Sequence, residues 1–199
     1  VLAMDWIEGE PLEALASEAV PQARRNAVAR TLYELMFREL FEFHFVQTDP
    51  NFANYLYLPA TQQVALLDLG SAGDYPAALV ASYRDACRAM LAGNDTALRE
   101  AMFAIGYAHP DDPEAMIRNA ADIIRLACEP LGHPGPYDFA ASGLAVRARD
   151  LGFAVAFGKG LRSPPPATMF LHRKLIGTFL ICVKLRARVN VHAIIEKFL

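Results

Sequence analysis

With 199 residues, 54% of them hydrophobic, and a net charge of −3, the chain can bury one sizeable core but hardly two. The charge balance argues against a nucleic-acid binder, which needs Lys and Arg concentrated on one face. The most apolar run, Leu175 to Val183, is bounded by Arg173-Lys174 and Lys184, so it falls far short of the roughly 18 to 20 uncharged residues of a membrane-spanning helix and reads as a core helix.

Val1 to Met4 is a short apolar run followed by the turn-forming Glu8-Gly9-Glu10-Pro11, which predicts a strand leading into a linker. The sequence starts with neither an initiator methionine nor a basic, then apolar, leader, and reads as a fragment that begins inside a strand. Beyond Pro21, Val28, Leu32, Leu35, Met36, Leu40 and Phe43 recur at helical spacing, predicting one amphipathic helix that ends near Phe45 and leads directly to Asp49. Asn54 to Leu58 and Gln63 to Leu67 are β-prone runs around Pro59-Ala60-Thr61-Gln62, predicting a hairpin with Asn54 and Asp68 at neighbouring strand ends. After Gly73-Asp74-Tyr75-Pro76 the chain reads as helical over 77–92, 95–106, 112–131, 136–150 and 166–186, with Asn94 or Asp95 and Asp111 or Asp112 as N-caps. Cys87, Cys128 and Cys182 lack the paired spacing of a zinc or redox site and read as buried thiols.

The chemistry gathers in Val46-Gln47-Thr48-Asp49-Pro50-Asn51-Phe52-Ala53-Asn54 and, fourteen residues after Asn54, in Asp68-Leu69-Gly70. An aspartate, an asparagine five positions later and a second aspartate before a glycine, in that order, are what phosphoryl transfer from a magnesium nucleotide requires. Asp49 would orient or deprotonate the attacking group, while Asn54 and Asp68 would hold Mg2+ against the phosphates. Taken singly, each residue has a plainer reading. Asp49-Pro50-Asn51 also suits a turn in which the aspartate bonds its own backbone, and an asparagine before a strand is common in loops. Asp68 follows the apolar Val64-Ala65-Leu66-Leu67, so it is expected at the end of a buried strand, where a carboxylate needs a cation or several hydrogen bonds.

The element order matches the C-terminal lobe of a protein-kinase-like fold, an α+β but mainly α architecture with a small β-hairpin. In that alignment Met4, Asp5, Trp6 and Ile7 line the adenine pocket and form the hinge, although Trp6 reads equally well as a core aromatic. Val1 to Gly9, Gln47 to Asn54, Val64 to Gly70 and Leu171-His172-Arg173-Lys174 together resemble the UbiB/AarF family of atypical kinases, in particular its coenzyme Q branch. The usual bacterial loop of that family is His-Ala-Asp-Pro-His-Pro-Gly-Asn; here Gln47, Thr48 and Asn51-Phe52-Ala53 depart from it as the coenzyme Q branch does, and Asp49 and Asn54 are kept.

The resemblance implies a partial atypical kinase-like domain over 1–199, comprising the hinge strand and the C-lobe without the N-lobe. It further implies binding of ATP and Mg2+, ATPase activity in the complete protein, and support of ubiquinone biosynthesis beside a membrane, with a lipid or ubiquinone precursor and biosynthetic proteins as partners. That membrane would be the matrix face of the mitochondrial inner membrane or the cytoplasmic face of a bacterial one. The family's Lys-x-Gly-Gln helix, alanine-rich nucleotide loop and nucleotide-contacting lysine are not in this sequence, so the fragment by itself is expected to bind ATP weakly and turn it over barely. Alternatives are a nucleotide-sensing scaffold or lipid-handling chaperone, and a small-molecule phosphotransferase. Only Ser71 to Pro76 separate Gly70 from the next helix, too short for the activation segment on which a protein kinase docks a peptide. The basic block from Arg173 to Arg188 reads either as a helix anchored by ion pairs or as a face turned to an anionic membrane, with Met169, Phe170, Leu175, Phe179, Leu180 and Val183 as the apolar side of its helix.

Overall fold

The computed structural model describes residues 5–157 and 162–199; Met4 and the expected strand over 1–4 lie outside them. A short strand β1 (Glu10–Pro11) and a 3-10 turn lead into helix α1 (Gln22–Phe41), whose Val28, Leu32, Met36 and Leu40 are buried along one side, with Tyr33, Phe37 and Phe41 beside them. The helix stops four residues earlier than its periodicity predicts. His44 takes a left-handed φ of 53°, and Phe43 lies exposed under the Arg38 guanidinium. The chain therefore does not pass directly from helix to Asp49.

Between them runs a strand that the helical pattern conceals, β2 (Phe45–Gln47). The hairpin follows as β3 (Tyr55–Leu58) and β4 (Gln63–Leu66), and then β5 (Ala72–Asp74) returns to pair antiparallel with β2, Gln47 opposite Ala72 and Phe45 opposite Asp74. In the hairpin Tyr55 faces Leu66 and Leu58 faces Gln63, as the sequence predicts, and β1 adds a third strand along β3. The loop from β2 to β3 carries Asp49, and the loop from β4 to β5 carries Asp68. Both loops are strung between the same two ladders, which fixes them side by side.

The remainder is helical. It comprises α2 (Ala77–Leu91), α3 (Asp95–Ile105), α4 (Glu114–Ala127), α5 (Glu129–Gly132), a strand β6 (Tyr137–Asp138), α6 (Leu144–Phe157), α7 (Pro166–Lys184), a strand β7 (Arg188–Val189) and α8 (His192–Ile195). Asn94 caps α3 by accepting the Ala97 amide at 3.0 Å, as predicted. Pro113 occupies the corresponding place before α4, and Asp112 instead accepts the His109 amide and pairs with Arg162 at 2.7 Å. The segment 112–131 breaks at Cys128, one residue before α5 with its donor-less Pro130. The segment expected to be helical from residue 136 begins instead as β6, because Tyr137 pairs with Val189 near the far end of the chain. All three cysteines are free; Cys182 is buried and the other two are half-buried.

Helix α7 crosses α1, with Leu171, Ile181 and Cys182 buried in the common core. Of the expected apolar side, Leu175, Phe179 and Val183 pack against the core, whereas Met169, Phe170 and Leu180 are exposed and the buried side also includes Thr168, Lys174 and Thr178. Lys174 rotates inward because a carboxylate on α1, that of Glu39, awaits it. No helix among the described residues is long and apolar enough to cross a membrane.

Candidate active site

Asp49 follows the buried Val46, Gln47 and Thr48 and is itself only partly covered, with 45% of its side chain exposed. Its backbone oxygen accepts three donors: the Gln47 side-chain amide at 2.8 Å, the Asn51 amide at 2.8 Å and Asn54 Nδ2 at 2.9 Å. The predicted turn is therefore present, but the Asp49 carboxylate is not spent on it. That group instead accepts a hydrogen bond from Asn54 Nδ2 at 3.0 Å. With its nitrogen committed to Asp49, the Asn54 amide presents Oδ1 as an acceptor.

The hairpin fixes the second carboxylate. Leu67 donates its amide to the Asn54 oxygen at 2.9 Å, extending the ladder one step beyond Tyr55 and Leu66, and Asp68 follows directly. Contrary to the sequence expectation, Asp68 is exposed, because β4 is only half covered. Its Oδ1 accepts the Gly70 amide at 2.7 Å, and at an exposed position the charge needs no buried counter-ion. Among the described residues no three His, Cys, Asp or Glu side chains cluster as metal ligands. The available donors, an amide oxygen and carboxylates, suit the hard Mg2+ ion, which keeps several waters and takes only one or two carboxylates from a protein.

Two residues of α7 reach this loop. Arg173 Nε donates to the Thr48 oxygen at 2.6 Å, and its guanidinium lies 3.9 Å from Asp49 Oδ1. Lys174, 2% exposed, pairs with Glu39 at 2.8 Å and donates to Gln47 Oε1 at 3.4 Å. Burial raises the Glu39 pKa and lowers that of Lys174, and each opposes the shift of the other. The sequence flagged this basic block but could not tell which of its members points inward. Anchoring by ion pairs describes it well, since Lys184 pairs with Glu13, Arg186 with Glu18 and Arg188 with Asp138.

The contact between loop and helix is close enough to require glycine. A Cβ at Gly177 would fall far inside contact distance of the Pro50 Cγ and 3.3 Å from the Pro50 oxygen. Beside this contact opens a groove of about 750 Å³, lined by Asp49, Asn51, His172, Arg173, Ile176 and Leu180. His172 lies on its wall, with Nε2 against the Tyr107 hydroxyl, which in turn meets the Tyr83 hydroxyl at 2.5 Å. Of the expected hinge, Asp5, Trp6 and Ile7 carry no regular structure, and Trp6, 90% exposed, packs into no core among the described residues.

Residues 1–102 match the model of the ABC1 atypical kinase-like domain. The chain is 35% identical over 193 residues to the mitochondrial atypical kinase COQ8B of Rattus norvegicus, covering 95% of this chain and 35% of that protein. It is 32% identical to the mitochondrial atypical kinase COQ8 of Schizosaccharomyces pombe, covering 96% and 31%. The chain thus spans about a third of the length of these relatives. Among solved structures, Rv3197 of Mycobacterium tuberculosis, determined with erythromycin, superposes with a TM-score of 0.74 at 18% identity, over 98% of this chain and 48% of that one. At that identity the likeness shows a shared fold.

Two measurements follow from this geometry. Gly177→Ala should displace the Pro50 turn and lower stability by about 1–3 kcal/mol, read as a fall in the denaturation midpoint; an unchanged midpoint would mean the helix and loop separate freely. Burial holds the His172 pKa below its ordinary 6.5, so the folded state favours the neutral ring. That contribution is complete above pH 6.5 and is lost as pH falls toward the folded-state value. Unfolding curves from pH 7 to pH 5 should therefore slope less in His172→Gln than in the unaltered chain.

Proposed function

Because the chain belongs to the ABC1 (UbiB-type) atypical kinase-like family, we propose that it carries the magnesium-binding and nucleophile-orienting half of a nucleotide site that transfers or hydrolyses the terminal phosphate of ATP. It corresponds in this reading to the C-terminal lobe, with Asp5 to Ile7 in the hinge. The observation that carries the proposal is the double hydrogen bond from Asn54 Nδ2 to the Asp49 carbonyl and carboxylate. It holds the Asp49 side chain at a fixed angle and leaves the amide oxygen for a cation.

Asn54 Oδ1 and the Asp68 carboxylate would hold Mg2+, which when bound to nucleotide neutralises charge developing on the phosphates. Asp49 aligns the attacking hydroxyl or water and receives its proton. The guanidinium of Arg173 lies 3.9 Å from Asp49 Oδ1 and lines the same groove. A peptide acceptor is disfavoured by β5: Ala72, Gly73 and Asp74 are bonded to β2, and α2 starts three residues later, which leaves no free segment for docking a polypeptide. Water, a small molecule or a lipid headgroup fits the space better.

Support of ubiquinone biosynthesis at a membrane is the cellular role this family reading favours. Paired as they are with Glu13, Glu18 and Asp138, the basic residues at the end of α7 and beyond offer little charge to a membrane surface, so any such contact would use other parts of the complete protein.

In the full-length protein, Asp68→Asn should reduce magnesium-dependent nucleotide turnover by at least about a hundredfold, measured as phosphate release. Undiminished turnover would remove Asp68 from the mechanism. Nucleotide binding without phosphate release by the unaltered protein in a single turnover would favour a nucleotide-sensing scaffold instead.

A further inference from the structure

The Glu39–Lys174 pair is unusual in its cost. Lys174 and Glu39 are 2% and 7% exposed, and two charges taken so far from water are no more stabilising than a well-packed apolar pair of the same size. Core stability therefore does not explain why this position holds a cation. Its second contact does. Gln47, 1% exposed, has an amide whose two ends are nearly equal in shape, so packing alone does not decide which end faces Asp49. An ammonium group only donates. By facing Gln47 Oε1 at 3.4 Å, Lys174 secures from one end the orientation that the acceptor-only Asp49 carbonyl favours from the other, with Nε2 on that carbonyl at 2.8 Å. The reverse orientation would set an amide oxygen against a carbonyl oxygen.

We propose that Lys174, held by Glu39, is a positioning residue for Asp49: it fixes the orientation of the Gln47 amide, and through it the backbone carbonyl from which the Asp49 side chain projects. This rests on Asp49 orienting the attacking group. The arrangement makes the ion pair part of the site although neither charge faces the groove.

The test removes the charges without leaving one unpaired. In full-length protein, Glu39→Leu combined with Lys174→Met should keep the thermal midpoint of the unaltered protein or exceed it. Phosphate release should fall at least about tenfold in kcat, with KM for magnesium nucleotide within about twofold, because Asn54 and Asp68 are untouched. Gln47→Glu, which keeps an acceptor for Lys174 but loses the donor to Asp49, should show the same loss and decides the matter if the double variant fails to fold. Hydrogen exchange at the Asn51 amide, which bonds the same Asp49 oxygen, gives a readout without nucleotide and should speed up about tenfold in whichever variant folds. A folded variant with unchanged kcat and unchanged Asn51 exchange overturns the proposal. Faster Asn51 exchange in a folded variant, when the unaltered protein itself releases no phosphate, would instead uphold the positioning and reject the nucleotide reading.

Discussion

The site is organised around one peptide oxygen, that of Asp49. It accepts hydrogen bonds from Gln47, Asn51 and Asn54, so the residue before it in space, the turn after it and the start of the hairpin all converge on a single acceptor. Pro50 contributes by having no donor to compete and by fixing the backbone on the far side. A carbonyl held by three donors cannot rotate without losing several hydrogen bonds at once. The Asp49 carboxylate inherits that rigidity, which is what its proposed role of aligning an attacking oxygen requires.

Two ladders and one helix enforce this convergence. The β2–β5 pairing and the hairpin hold both ends of the Asp49 and Asp68 loops, so neither can move independently of the other. Helix α7 presses on the loop from the groove side, where Gly177 admits Pro50 and Arg173 holds the Thr48 oxygen. Lys174 meanwhile ties the helix through Glu39 to α1. A residue far along the chain thereby reaches a loop that the first quarter of the sequence builds.

Much of this was legible in the sequence for reasons of period and spacing. The hairpin followed from two β-prone runs around a proline-containing turn, and its register brings Asn54 and Asp68 to one end as expected. The main helices follow from apolar periodicity, and of the two caps expected before α3, Asn94 or Asp95, the structure uses Asn94. Features that depend on long-range pairing were hidden. β2 and β5 are three residues each, and β6 and β7 two each, so they are strands only because a distant partner meets them. The face of α7 is legible only in part, in Leu175, Phe179 and Val183, because a buried lysine breaks the rule that charge points outward, and the exposure of Asp68 is hidden because β4 is covered on less of its surface than its apolar run implies.

The account stands on the cation being held by Asn54 and Asp68, and a crystal structure of the full-length protein with Mg2+ and a non-hydrolysable ATP analogue tests it most directly. The expected result is a metal ion about 2.0–2.1 Å from Asn54 Oδ1 and from an Asp68 carboxylate oxygen, with the Asp49 carboxylate still bonded to Asn54 Nδ2. A nucleotide-bound metal that contacts neither Asn54 nor Asp68 would contradict the account.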